Sequence, residues 1–296
     1  MKISIWLEGI RLKTLGASIS PVLIGTVFSL KTHPFDTVTT LLILLFALGV
    51  QIATNLANDY FDYIKGADTK DRKGPRRLTQ SGLVAPHIMQ WVALSVTLCS
   101  ALIALYLTIQ GGWIVALIAV ISLLAAYLYT AGPFPLAYIG LGDVFVLIFF
   151  GPLAVAGTVY LQTKIFSPLS IIVGLAPGFL STALLVINHL RDRQEDLKAK
   201  KNTLIVRFGF NFGKWEYLLC YICAALIPLI LIWVTKENFL IICAILPLLL
   251  TLPEIKSLFY QQVTPLLYQT LFKKTIWSLT LFTLVFTVTW LISNQK

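Results

Sequence analysis

Asn55, Asn58, Asp59 and Asp62 stand at offsets 0, 3, 4 and 7 at the head of the stretch Asn55–Arg77, NLANDYFDYIKGADTKDRKGPRR. On a helix all four share one face. The segment 188–196, NHLRDRQED, repeats the device, with Asn188, Arg191, Asp192, Glu195 and Asp196 at offsets 0, 3, 4, 7 and 8. Carboxylate and amide oxygens are hard ligands that suit Mg²⁺, which takes one or two protein carboxylates and fills its shell with waters and substrate phosphates. Two such faces opposed across a cavity could hold Mg²⁺ around a diphosphate, with the interleaved Lys and Arg on the remaining oxygens. A diphosphate neutralised in this way is a good leaving group. Its departure leaves a carbocation, which aromatic faces stabilise by roughly 0.5–2 kcal/mol each. Tyr60, Phe61, Tyr63, Tyr127, Tyr129, Phe134, Tyr138, Phe145, Phe149 and Phe150 fall near the same end of the chain's apolar segments.

Plainer readings compete. One acidic–basic loop is ordinarily a solvated, salt-bridged surface. The same N-x-x-x-D spacing at Asn58/Asp62 and at Asn188/Asp192 favours a shared site instead. Ion carriers also use intramembrane acids, but in mid-helix. Here Asp143, near a helix start, reads either as a dipole partner or as a catalytic acid. His189 reads as a hydrogen-bonded neighbour of the second cluster. Asp68 and Asp71 are either ligands or solvated loop residues. Lys65, Arg72, Lys73, Arg76 and Arg77 either touch the anion or only set topology.

The elements that position these residues are apolar. Of 296 residues 57% are hydrophobic and 12% charged, with mean hydropathy +0.84; a soluble domain carries about 25% charged residues. The chain reads as an all-α polytopic membrane protein, lodged in a lipid bilayer. Nine spans are expected, near 14–31, 38–58, 88–108, 112–130, 140–160, 168–190, 214–234, 238–253 and 273–292, each close to the ~20 residues a bilayer requires. Gln110-Gly111-Gly112 marks a tight turn, and Pro247 should tilt or break the short eighth span. Nineteen of the 23 Lys and Arg fall on one side; only Lys31, Lys164, Lys236 and Lys296 fall on the other. That asymmetry places the N-terminus in the cytoplasm. These cations hug membrane ends beside acids, so no nucleic acid is expected as a partner. Cys99, Cys220, Cys223 and Cys243 lie within apolar runs and read as packing residues. The two acidic motifs lie 130 residues apart, with four spans between them. A parallel duplication follows, about 1–135 and 136–270 plus a last helix, forming one domain (1–296) around a central cavity.

NDYFDYIKGAD followed by QSGL (Gln80–Leu83), and N-x-x-R-D-x-x-x-D followed by TLIVRFG (Thr203–Gly209), resemble the UbiA-type intramembrane prenyltransferases, in particular their naphthoate-type subgroup. The stretches 11–26, 129–152 and 157–162 add to the resemblance. It implies a nine-helix fold. It implies that Asn58, Asp59, Asp62 and Asp68, with Asn188, Asp192 and Asp196, bind the Mg²⁺–diphosphate of a polyprenyl diphosphate. Asn55, Lys65, Arg72, Lys73, Arg191 and Lys201 would contact the diphosphate, and Asp62, Asp192 and Asp196 would be the catalytic acids. Many members place the last acid of the first motif where this chain has Gly66; Asp68, two residues on, favours the naphthoate subgroup. Leu12, His189 and Lys200 depart from the usual Pro, Asn and Gly. The implied reaction moves a polyprenyl group onto dihydroxynaphthoate with loss of CO₂ and diphosphate, giving demethylmenaquinone. It would run at the cytoplasmic mouth of a protein in the bacterial cytoplasmic membrane. The alternatives are a sister transferase with another acceptor, such as 4-hydroxybenzoate, and a non-enzymatic membrane carrier.

Overall fold

The computed structural model describes residues 3–31, 36–68, 74–236, 239–260 and 263–293, and all regular structure among them is helical. In chain order the elements are α1 (Ile3–Ile10), a 3-10 turn at Leu12–Thr14, α2 (Gly16–Ser29), α3 (Thr37–Ile64), α4 (Pro86–Leu128), α5 (Gly142–Phe149), α6 (Pro152–Thr163), α7 (Pro168–Lys198), α8 (Leu204–Phe208) and α9 (Phe210–Thr235). A 3-10 stretch at Phe239–Ile245, α10 (Leu246–Leu249), α11 (Leu252–Tyr260) and α12 (Pro265–Ser293) complete the described chain. Large apolar side chains such as Ile109, Trp113 and Trp233 stand exposed on the outside, as expected of helices whose surroundings are lipid.

Among the described residues, five single helices (α3, α4, α7, α9 and α12), and α5 with α6 taken together as a sixth, are long and apolar enough to cross a membrane. Two bent pairs, Ile3–Thr14 with Gly16–Ser29 (52°) and Phe239–Leu249 with Leu252–Tyr260 (44°), raise the number to eight if each is one span. α2, Gly16–Ser29, lies within the first expected span at 14–31, and the short helix α1 before it was not expected. The eighth is broken, as Pro247 suggested. The span expected at 140–160 is two helices parted at Phe150–Gly151, with Pro152 opening the second, a position where its missing N–H costs nothing. At 43 residues α4 would measure about 64 Å, twice the bilayer's hydrocarbon core. It is interrupted at Gly112, whose φ of 71° and ψ of −163° are not helical.

α7 is the central column. It packs against α2, α5, α6, α9 and α12, and 72% of its apolar window is buried against 22–44% for the other spans. Close approach here needs small residues. A Cβ on Gly174 would lie 2.6 Å from Pro152 Cα, and one on Gly151 would lie 2.6 Å from the Gly174 carbonyl. The start of α6 thus rests backbone-to-backbone on α7, the way helices pack where lipid removes any hydrophobic drive between them.

α3 has 28 residues and α7 has 31, lengths of about 42 and 47 Å that exceed a ~30 Å core. Their last turns carry the two acidic motifs, and both helices stop in the same way. Gly66 N donates to Tyr63 O and Ala67 N to Asp62 O, both at 2.9 Å. Lys200 N donates to Leu197 O (3.2 Å) and Lys201 N to Asp196 O (2.8 Å). Each is a Schellman cap closed by a left-handed residue, Gly66 at φ 67° and Lys200 at φ 56°. Asp62 and Asp196 therefore hold equivalent places, each the third-last residue of its helix.

Candidate active site

The two caps turn the chain back toward one cavity. Asp62, 1% exposed, accepts from three directions: Arg77 Nη2 and Lys201 Nζ at Oδ2, each 3.0 Å, and the Tyr138 hydroxyl at Oδ1, 2.8 Å. Lys201 follows the second motif, so this contact ties one motif to the other. Tyr138 stands between them. Its carbonyl accepts from Asn202 N at 2.9 Å, and the ammonium groups of Lys65 and Lys201 each lie 4.8 Å from its ring centre. Burial first, then the Asp62 charge and its hydrogen bond, push the Tyr138 phenol well above its ordinary pKa. It stays protonated and acts as a donor.

Arg77 reaches the site because Asp59 fixes the returning chain. Both Asp59 oxygens accept backbone N–H groups, from Leu78 and Thr79, at 2.8 Å. Arg77 Nε then lies 3.2 Å from Asp68, which α3 delivers through the turn at Gly66. In the second motif, Arg191 grips Asp192 through two contacts of 2.6 and 2.7 Å. Asn58 accepts from the Thr130 hydroxyl at 2.8 Å.

Asn58, Asp62, Asn188, Arg191, Asp192, Asp196 and Lys201 all line one polar cavity of about 590 Å³. A second chamber of about 300 Å³ adjoins it, walled by apolar groups such as Val22, Phe46, Leu107, Ala119, Phe149 and Leu161. Arg11, Thr14, Asn58, Tyr129, Leu185 and Asn188 line both, so the two spaces share a wall.

Other expected site residues lie elsewhere. Asn55 faces the apolar chamber and donates to Ile10 O at 2.9 Å. Asp59 and Asp68 sit behind the cavity wall, engaged as described. Lys65 donates to the carbonyls of Thr130 (2.6 Å) and Gly132 (3.2 Å). Arg72 and Lys73, with Asp71, lie outside the described residues. The reading of residue types gave Arg77 no role beyond topology or a loose anion contact, and gave Tyr138 only a cation-facing one. The available signal for Arg77 was its place just before the turn Gln80–Leu83.

Among the described residues, no three acid, His or Cys side chains approach closely enough to form a metal site by themselves. The donor set still fits Mg²⁺. Asp62, Asp192 and Asp196 present hard oxygens to one space, and this ion needs only one or two protein carboxylates when a diphosphate completes its shell.

The UbiA prenyltransferase family matches residues 18–277 of the chain. The 1,4-dihydroxy-2-naphthoate octaprenyltransferase of Escherichia coli (strain K12) is 38% identical over 232 residues, covering 76% of this chain and 75% of that one. The enzyme of the same name from Haemophilus influenzae is 36% identical over 233 residues, covering 76% of each. Among solved structures, a UbiA homologue from Archaeoglobus fulgidus bound to DMAPP and Mg²⁺ superposes with a TM-score of 0.66 at 15% identity, covering 96% of this chain and 99% of that one. One from Aeropyrum pernix K1 gives 0.69 at 14% identity, covering 97% and 99%. At such identities the structures speak to the fold alone.

Proposed function

The chain belongs to the UbiA prenyltransferase family, and on that premise we propose how its two chambers work. The enzyme transfers a polyprenyl group from polyprenyl diphosphate to 1,4-dihydroxy-2-naphthoate, with loss of CO₂ and diphosphate, giving demethylmenaquinone in its reduced, hydroquinone form. One observation carries the mechanism: a polar cavity lined by both acidic motifs shares a wall with an apolar chamber. A diphosphate head suits the first and a hydrocarbon tail the second.

Asn58, Asp62, Asn188, Asp192 and Asp196 are the residues that would hold Mg²⁺. The chemistry the ion supplies there is neutralisation of charge on the departing diphosphate. Arg77, Lys201 and Arg191, now paired with Asp62 and Asp192, turn to the phosphate oxygens. Tyr138 supplies a neutral donor beside them. The apolar walls keep water from the allylic carbon once its bond to diphosphate oxygen breaks. The naphthoate ring carbon that bears the carboxylate then bonds to that carbon, and CO₂ leaves, its electron pair returning to the ring. Asp59 and Asp68 serve the scaffold, holding the Arg77 segment.

In this reading the bundle has nine spans: the two bent pairs count once each, and α4 counts twice because Gly112 breaks it. The 19-to-4 charge asymmetry supports a cytoplasmic cavity mouth and N-terminus, in the bacterial cytoplasmic membrane. The shared N-x-x-x-D spacing on α3 and α7, each closed by a similar cap that comes one helical turn later in α7, supports the duplication of 1–135 and 136–270.

Purified protein in lipid nanodiscs, given a polyprenyl diphosphate, the dihydroxynaphthoate and Mg²⁺, is expected to form the hydroquinone of demethylmenaquinone, identified by the mass of the lipid product before or after oxidation in air. Product from 4-hydroxybenzoate but not from the naphthoate would overturn the acceptor. Transmembrane transport without diphosphate release would overturn the enzyme reading.

A further inference from the structure

The apolar chamber carries a polar belt that none of the steps above uses. Asn58, Tyr129 and Asn188 line both chambers and so mark their junction. Seven residues before each, on three different helices, stands a polar side chain that lines the apolar chamber: Gln51 on α3, Ser122 on α4 and Ser181 on α7. Seven residues are two helical turns, about 10 Å, which sets the three at one level beyond the junction. Gln51 and Ser181 also hold equivalent places in the two halves of the chain, because Asn58 and Asn188 head the repeated N-x-x-x-D motif. None of the three side chains makes a hydrogen bond among the described residues, and Ser181 Oγ is buried without a partner in a residue only 3% exposed. Other polar groups of the same walls are satisfied close to home. The Thr54 hydroxyl donates to Val50 O at 2.8 Å, the Thr158 hydroxyl to Ala154 O at 2.7 Å, and the Asn55 amide to Ile10 O at 2.9 Å.

Polar groups without partners in an apolar wall are costly, and a polar group on a ligand offsets that cost. The prenyl tail has none to offer. Of the two substrates, only the aromatic acceptor brings polar groups to this depth. Its carboxylate is the wrong one, because the belt is neutral and Arg11 on the shared wall gives that anion a cation at the junction. One hydroxyl of the acceptor adjoins the carboxylate and stays with it. The other stands on the far side of the ring and points away from the junction. A glutamine amide both donates and accepts, as a hydroxyl does, so one Gln side chain can meet both needs of that group.

We propose that Gln51, with Ser122 and Ser181 at the same level, binds the hydroxyl of the aromatic acceptor that lies remote from its carboxylate, and so selects a dihydroxylated ring and sets it with the carboxylate-bearing carbon toward the junction. This rests on the prenyl-transfer reading. It assigns the belt to choice of the aromatic substrate, and leaves the diphosphate to the acidic motifs two turns away.

The test uses the full-length protein in nanodiscs with Mg²⁺, polyprenyl diphosphate and the dihydroxynaphthoate. The probe is 1-hydroxy-2-naphthoate, which lacks the remote hydroxyl, used as a competitive inhibitor. In Gln51→Leu the KM for the dihydroxynaphthoate is expected to rise about tenfold, the effect of one buried hydroxyl left without its partner. The inhibition constant of the probe and the KM for polyprenyl diphosphate should both stay within twofold of wild type. A general loosening of the chamber would weaken acceptor and probe alike, and that outcome overturns the proposal. So does a dihydroxynaphthoate KM that stays within twofold in Gln51→Leu, the result expected of a belt that holds only water. If Gln51→Leu does not accumulate, Ser122→Ala combined with Ser181→Ala decides, since it removes only unpartnered hydroxyls. A rise of about threefold in the dihydroxynaphthoate KM with the probe unchanged supports the assignment; no rise, or an equal loss for the probe, overturns it. A wild-type enzyme that leaves the naphthoate unprenylated would instead sink the reading on which the proposal rests.

Discussion

Replacing Asp62 by Asn separates an acid that holds metal from one that only pairs cations. The amide keeps the side chain's shape but removes its charge and one acceptor oxygen. Arg77 and Lys201, at 6% and 13% side-chain exposure, are then left beside a neutral group. Breaking a buried ion pair costs about 3–5 kcal/mol, and Lys201 retains some contact with water, so about 3 kcal/mol is expected. For a chain of this size each kcal/mol moves the unfolding midpoint by about 2–4 °C. The apo variant should melt about 6–12 °C below wild type in detergent. Turnover should fall by at least about 100-fold, equivalent to about 2.7 kcal/mol of barrier. The two freed cations give the variant a second signature. Polyprenyl diphosphate without Mg²⁺ should raise its midpoint more than it raises that of wild type, because ligand binding stabilises by mass action and Asp62 no longer competes for Arg77 and Lys201. Adding Mg²⁺ should then help wild type more than the variant, which keeps only Asp192 and Asp196 as acids facing the cavity from the assigned set. Retained turnover, or a Mg²⁺-dependent shift equal to that of wild type, would refute the assignment of Asp62 as a metal-binding acid.

Four further outcomes are expected. Lys200→Gly relieves a left-handed lysine at φ 56°; it should stabilise the fold by about 0.5–1 kcal/mol, read as a higher melting midpoint with turnover within twofold of wild type. Gly174→Ala puts a Cβ 2.6 Å from Pro152 Cα, a backbone clash that should cost about 3 kcal/mol and show as a lower midpoint and reduced yield of folded protein. Asp36→Ala removes the N-cap of α3, where the carboxylate accepts from Val38 N (3.0 Å), Thr39 N (3.2 Å) and the Thr39 hydroxyl (2.6 Å), and should cost about 1 kcal/mol. The Thr39 hydroxyl, then its backbone N–H, hold the Asp36 pKa below 3.8, so that stabilisation is complete above this value. The gap between wild type and Asp36→Ala should stay constant from pH 5 to 8 and narrow only as acid protonates the folded-state carboxyl.

The legible and the illegible parts of this molecule differ by one physical rule. Features fixed by spacing along the chain could be read from sequence. The offsets 0, 3, 4 and 7 required a helix running past the apolar segment, and α3 and α7 do run past it. Gly111-Gly112 announced the break in α4, and Pro247 the bend before α11. Features fixed by a returning chain could not be read. Asp59 shares a face with Asn55 and Asp62, yet its oxygens are taken by Leu78 and Thr79 N–H groups, which only the fold of residues 74–84 brings near. Lys65 matched the pattern of an anion-binding lysine, but two loop carbonyls nearby claim its ammonium. α1 went unnoticed because its eight residues fall far short of the ~20 that a membrane span requires.

The caps show where the two kinds of information meet. A Schellman turn holds the third-last residue of its helix in a set orientation, and here that residue is Asp62 in one helix and Asp196 in the other. Gly66 adopts the required conformation at little cost. Lys200 does so under strain, and its place in the chain delivers Lys201 to Asp62 across the cavity. An unstrained Gly at 200 would leave that reach intact, since the cap's hydrogen bonds set the path of Lys201 and the side chain at 200 does not. If the left-handed turn is what aims Lys201, Lys200→Gly keeps the Lys201–Asp62 contact and the activity. If a contact of the Lys200 ammonium is what matters, the same change lowers activity while raising stability, and the cap is not the aiming device.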